Sequence, residues 1–189
     1  MEPYEEILQT IYTFVPAGID PKTDYDAYLN SPQIKRLAEK WAQEYDDTTR
    51  WDDFYDLIAA LFGPSMVAEV TSPTGMDRCR QVVVNISHNP YRVDRLVINW
   101  SIIGPFYEIY RSKAELAMDG GKSRLINQRS SYDTNPYWGP HLADEIQELY
   151  GYNQLSPFAS SMIIPDIALP YTGFGEVTLA KALFTDIVM

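Results

Sequence analysis

Cysteine occurs once in 189 residues, at Cys79. A lone thiol closes no internal disulfide and supplies no multi-cysteine zinc site, so a reducing compartment is the expectation. Histidine is nearly as scarce. His88 and His141 stand far apart in the chain with no clustered ligand spacing around either, so no structural metal is expected. No run approaches the roughly 18 consecutive apolar residues that span a bilayer. The opening Met1-Glu2-Pro3-Tyr4-Glu5-Glu6 lacks the basic residues and apolar stretch of a secretory signal or transit peptide. These absences lead to the expectation of a cytoplasmic chain without a membrane partner.

Positive charge is also in short supply. Lys and Arg number 15 against 26 Asp and Glu, giving a net charge of -11. The isoelectric point is about 4.5. Phosphate backbones are bound by basic stripes on domains whose isoelectric point usually exceeds about 9, so no nucleic-acid partner is expected.

Catalytic signatures are missing too. There is no phosphate-binding G-x-x-x-x-G-K-[ST] run. The nearest glycine pair, Gly173-Phe174-Gly175, continues as Glu176-Val177-Thr178 where a dinucleotide fold would need its third glycine. Nucleophile-elbow, kinase and H-E-x-x-H patterns are absent, and no cofactor is expected.

What is present describes a folded chain. Hydrophobic residues make up 46% and charged residues 22%, ordinary globular usage that excludes disorder and collagen-like repeats. The length fits a single domain, residues 1–189, able to build a core without disulfides or metal.

Residues 1–63 read as the helical part. Tyr4, Ile7, Leu8 and Ile11 recur at the spacing of one helical face behind Pro3. The proline- and glycine-containing stretch from Val15 to Asp24 ends that helix. Ser31-Pro32 is a cap followed by a first-turn proline, and it opens a second helix with Ile34, Leu37, Ala38, Trp41 and Tyr45 on one stripe up to Asp46-Asp47. Thr49 with Asp52 three residues on resembles a capping box. It opens a third helix whose apolar face is Trp51, Phe54, Tyr55, Ile58, Leu61 and Phe62, and Gly63-Pro64 closes it.

Residues 64–131 change to a period of two. Met66 to Ser72, Arg78 to Ser87, Val93 to Ile103, Pro105 to Arg111 and Lys122 to Ser130 read as strands. The short connections Ser72-Pro73-Thr74-Gly75, His88-Asn89-Pro90-Tyr91 and Gly104-Pro105 imply antiparallel pairing. Ser112-Lys113-Ala114-Glu115 suggests a further short helix ended by Gly120-Gly121. Residues 132–189 are mixed. Gly139-Pro140 opens a helix with Leu142, Ile146, Leu149 and Tyr150 inward and Asp144, Glu145 and Glu148 outward, closed by Gly151. Ser161 to Leu169 reads as extended, and Val177 to Val188 fits helix and strand about equally. The expected fold is therefore α+β: N-terminal helices packed on an antiparallel sheet of about five strands, with a further C-terminal helix.

Charge is unevenly placed. Residues 1–63 carry -8, residues 64–131 carry +3 and residues 132–189 carry -6. Two readings compete. In one, acidic helices neutralise the arginines of the sheet they cover. In the other, the carboxylates form a separate face for a basic protein partner.

The second reading makes Asp46, Asp47, Asp52, Asp53 and Asp56 binding candidates, because they lack the central glycine and ligand order of a calcium loop. Tyr132, Tyr137 and Trp138 join them as interface candidates, since aromatic residues between a strand and a helix have no regular face to bury. The function this supports is a non-enzymatic acidic protein-binding domain, of inhibitor or immunity type, that neutralises a basic protein. The alternative is a small-molecule-binding protein or small enzyme using a groove on the sheet. There Arg95, Asn99, Asn127 and Arg129 would recognise an anionic ligand, and His141, in a helix's first turn beside Asp144 and Glu145, would be the acid–base candidate. Cys79 lies between Arg78 and Arg80, but strand alternation turns both arginines away from its sulfur, so an inert buried thiol is expected.

Overall fold

The computed structural model describes residues 3–71, 77–89, 92–119, 122–131 and 139–186, with backbone alone at 3, 88–89, 116–119, 122–131 and 139–140. Helix α1 covers Pro3–Phe14, α2 Tyr25–Asn30, α3 Pro32–Asp46 and α4 Thr49–Phe62. Five strands follow: β1 Val67–Glu69, β2 Cys79–Asn89, β3 Arg92–Ser101, β4 Phe106–Asp119 and β5 Lys122–Ser131. Then come α5 Gly139–Tyr150, the short strand β6 Asn153–Gln154, α6 Pro157–Ser160 and α7 Leu179–Leu183. The fold is α+β, in the expected order of helices, sheet and C-terminal helix.

Local chemistry explains most helix boundaries. The Ser31 hydroxyl accepts from the Ile34 amide and Pro32 occupies the first turn of α3, as the sequence predicts. At α4 the cap falls one residue earlier than predicted, at Thr48. Its hydroxyl donates to Asp52 at 2.7 Å, while Asp47 accepts from the Thr49 amide at 3.1 Å, so the Thr49–Asp52 box does not form. Gly63, at φ +91°, ends α4 in a backbone conformation that L side chains rarely adopt. Helix α2 went unpredicted. It has only six residues, and Asp24 starts it by accepting from the Ala27 amide.

Strands β1 to β5 form an antiparallel meander in sequence order, and β6 pairs with β4 in parallel. Where a short helix was suggested from Ser112 onward, residues 112–119 are instead the far half of β4. Ser112 to Glu115 pair with β3 on one side and β5 on the other, and two full ladders outweigh a local capping pattern. His88, expected in a turn, pairs with Val93 inside the β2–β3 ladder. The stretch from Ser161 to Leu169 makes no strand, only isolated bridges at Ile163, Ile167 and Leu169. In the ambiguous segment after Val177, Thr178 caps α7 by accepting from the Lys181 amide. The turn proposed at Ser72 to Gly75 lies outside the described residues.

Two large cores adjoin the sheet, and a small third cluster, Val83, Val97 and Tyr110, lies on the face opposite the second. The first joins α1, α2 and α3 to the tail through Ile11, Tyr28, Leu37, Trp41, Ile164, Leu179 and Phe184, with Cys79 and Phe106 at the sheet end. The second packs Trp51, Phe54 and Ile58 of α4 and Leu142 and Ile146 of α5 on one sheet face, against Val82, Ile98, Trp100, Tyr107 and Ile109. The predicted stripes are wider than the buried ones. Tyr45 and Leu149 are exposed at 55% and 65%, and Ala38 and Leu61 also face solvent.

Candidate functional site

Side chains alternate along a strand, so the register assigns every strand residue to one of two faces. The rows Arg80–Trp100–Tyr107 and Val82–Ile98–Ile109 carry α4 and α5. The rows Gln81–Asn99–Glu108, Val83–Val97–Tyr110 and Asn85–Arg95–Ser112–Arg129 belong to the opposite face.

Helices α4 and α5 are tied together over the first face by a chain of rings. Phe54 meets Trp100 at 4.4 Å between centroids, Tyr150 stands edge-on to both, and Tyr152 stacks on Trp100 at 4.0 Å. Arg50 of α4 donates to the Tyr150 carbonyl at the end of α5, and its guanidinium lies 4.7 Å from the Tyr152 ring centre. Burial, then the neighbouring Asp53 carboxylate, pushes the Tyr150 phenol up. Burial chiefly, with Asp144 adding, pushes Tyr107 up to about 12, and its hydroxyl donates to the Ala143 carbonyl at 3.3 Å.

Both helices that cover this face carry carboxylates on their outer sides. Asp46 and Asp47 stand at the α3–α4 corner, Asp52, Asp53 and Asp56 on α4, and Asp144 and Glu148 on α5, all exposed, with Glu145 half-buried. Across residues 46–62 and 139–150 the only Lys or Arg is Arg50. The Thr49 hydroxyl and amide hold the Asp47 carboxyl below the usual carboxylate range. Asp52, Asp53 and Asp56 thus lie on the same side of the sheet as the three α5 carboxylates, with Asp46 and Asp47 at the corner that leads into α4. The outward periodicity of the α5 carboxylates was legible in sequence, but their place on the same side as α4 was not.

Ion pairs bear on the two charge readings. Among the described residues they are Lys40–Glu44 within α3, Arg92–Glu115 across β3 and β4, and Arg111–Asp94 in the sheet. None joins an acidic helix to a sheet arginine. Arg80 instead donates to the Glu44 carbonyl at 3.0 Å and lies 5.1 Å from the Trp51 ring centre. Arg78 donates to the Lys181 carbonyl at 2.8 Å. Among the described residues, the carboxylates of α4 and α5 are thus not consumed in neutralising the sheet.

The residues proposed for an anion groove are arranged differently. Asn99 is buried and bracketed: it accepts from Gln81 Nε2 at 2.5 Å and donates to Glu108 at 3.3 Å. Arg95 Nε donates to Asn85 at 3.2 Å. Arg129 occupies the register row of Arg95, and Asn127 pairs with Ala114, four positions along β4 from Tyr110. The structure describes only backbone at these last two residues. His141 is exposed on α5 with no hydrogen bond to a described residue. Tyr132, Tyr137 and Trp138 lie outside the described residues.

Among the described residues, no group of three or more His, Cys, Asp or Glu side chains is placed to hold a metal ion. No described helix is long and apolar enough to cross a membrane. Compared with protein-family models, curated proteins and solved structures, the chain finds no match.

Proposed function

We propose that this chain is a non-enzymatic protein-binding module whose acidic surface, formed by the α3–α4 corner and the outer sides of α4 and α5, receives a basic protein. An inhibitor or immunity-type protein that covers a cationic toxin or nuclease would act in this way. One observation carries the reading. Asp46, Asp47, Asp52, Asp53, Asp56, Asp144, Glu145 and Glu148 enter no ion pair among the described residues, while the described sheet arginines have partners of their own. Exposed like charges on one side of a fold add to a single field, which a cationic partner neutralises. Before contact, the same field speeds encounter with a positive surface.

The test is affinity capture of a basic protein by the native chain and by a D52N/D53N/D56N variant, followed by salt titration of the captured complex. The reading expects capture that the variant weakens at least about tenfold and that falls between 0.05 and 0.5 M salt, on the order of the screening expected for exposed charges. Binding that ignores both the substitutions and ionic strength overturns it.

A further inference from the structure

Among the described residues, Tyr45 is the one aromatic residue at the acidic corner that faces solvent. It lies in the last turn of α3 and is 55% exposed, although the apolar stripe of that helix predicts it inward. Its ring is held nevertheless. Trp41, one turn earlier and buried, stacks on it at 5.3 Å between centroids with 25° between planes. From the sheet, the Arg80 guanidinium lies 5.9 Å from its centre and 5.1 Å from that of Trp51, joining the end of α3 to the start of α4. The ring therefore meets a partner already oriented, with little side-chain freedom left to lose. Asp46 and Asp47 follow it directly, both exposed, and Asp52 and Asp53 begin the next helix.

We propose that Tyr45 is the aromatic anchor of the acidic surface and that it takes an arginine side chain of the basic partner. This rests on the reading of that surface as a docking face and adds the residue that the partner grips. An arginine carries both properties the corner matches. Its flat, weakly hydrated guanidinium and aliphatic stem cover an aromatic ring, and its charge is met by Asp46 and Asp47. Arg80 already places one guanidinium against the inner side of the same ring, and its charge favours a partner cation seated toward the carboxylates rather than over the ring centre. Tyrosine is among the residue types enriched where interface energy concentrates.

The probe is a nona-arginine peptide, compared with nona-lysine, titrated at fixed low salt against the native chain and against Tyr45→Ala, Tyr45→Phe and Phe158→Ala. Phe158 is 78% exposed on α6 and serves as the control. Thermal unfolding confirms that each variant is folded. The expected result is a loss of about three- to tenfold in nona-arginine affinity for Tyr45→Ala, with Tyr45→Phe and Phe158→Ala within about twofold of native and a smaller loss for nona-lysine. If Tyr45→Ala binds as the native chain does while D52N/D53N/D56N binds weakly, the anchor is wrong and the acidic surface stands. If the native chain binds neither peptide, the acidic surface itself is wrong and the anchor falls with it.

Discussion

The Arg80 guanidinium lies 5.1 Å from the centre of the Trp51 ring and donates to the carbonyl of Glu44 in the last turn of α3. It is 4% exposed and forms no ion pair with a described residue. A buried cation is costly without compensation. Here the compensation comes from the carbonyl end of α3 and the electron-rich faces of Trp51 and Tyr45. Arg80 is in effect a rivet through the end of α3, the start of α4 and β2.

Arg80→Ala should therefore destabilise the protein by about 2 to 3 kcal/mol, through lost packing and an unsatisfied helix end. Arg80→Met should lose less, because it keeps the stem and removes a buried charge. Urea unfolding of the two variants measures the difference. Equal losses would mean that the charge, not the stem, holds the corner.

The Asp94–Arg111 pair sets an acid limit to stability. Arg111 Nε donates to Asp94 Oδ1 at 2.7 Å, and a second nitrogen contacts the other oxygen. That hydrogen bonding holds the Asp94 carboxyl below its usual range, against the effect of burial, and raises the guanidinium. A carboxyl whose native pKa lies below its unfolded value, near about 3.9, contributes stability that is present above that unfolded value. The contribution is lost as pH falls through the native one. Asp94→Asn should cost about 2 kcal/mol at neutral pH, and its stability should fall less steeply than that of the native chain from about pH 5 downward. Parallel acid limbs for the two proteins would show that the pair is not responsible.

Cys79 should behave as a silent thiol. It is 2% exposed, and burial, reinforced by Asp77, pushes its pKa well above the ordinary value despite Arg78. Alkylation of the native protein at neutral pH should be slow and should track global unfolding, rising steeply with denaturant. Rapid labelling of the folded chain would contradict the burial.

Particular residues show what the sequence could and could not convey. Ser31-Pro32 and Gly63 placed helix ends because each acts through its own backbone geometry. Ser112 to Glu115 misled because the capping pattern is real but local, whereas β3 and β5 arrive from far along the chain to claim the same backbone. Leu149 and Tyr45 fit apolar stripes, yet periodicity reports only which side of a helix a residue shares, and not how far the neighbouring layer extends over it. The candidate residues were half legible. The aspartates of α4 were visible as a cluster, but that α5 with Asp144 and Glu148 covers the same sheet face shows only in the packing around Phe54, Trp100 and Tyr150. Tyr45 gave no signal beyond its exposure in the folded chain.

The segment around α7 is received by the middle of the chain. The Arg78 amide donates to the Phe184 carbonyl, the Ser101 hydroxyl donates to that of Leu183, and Asp186 accepts from Tyr171 and Thr172. The residues so fastened also complete the apolar bed under α1, α2 and α3. During synthesis, then, α1, α2 and α3 emerge well before the segment that seals them. They wait with their oily sides uncovered until residues 164–184 have been made, an interval in which a growing chain is most exposed to capture by chaperones or by its neighbours.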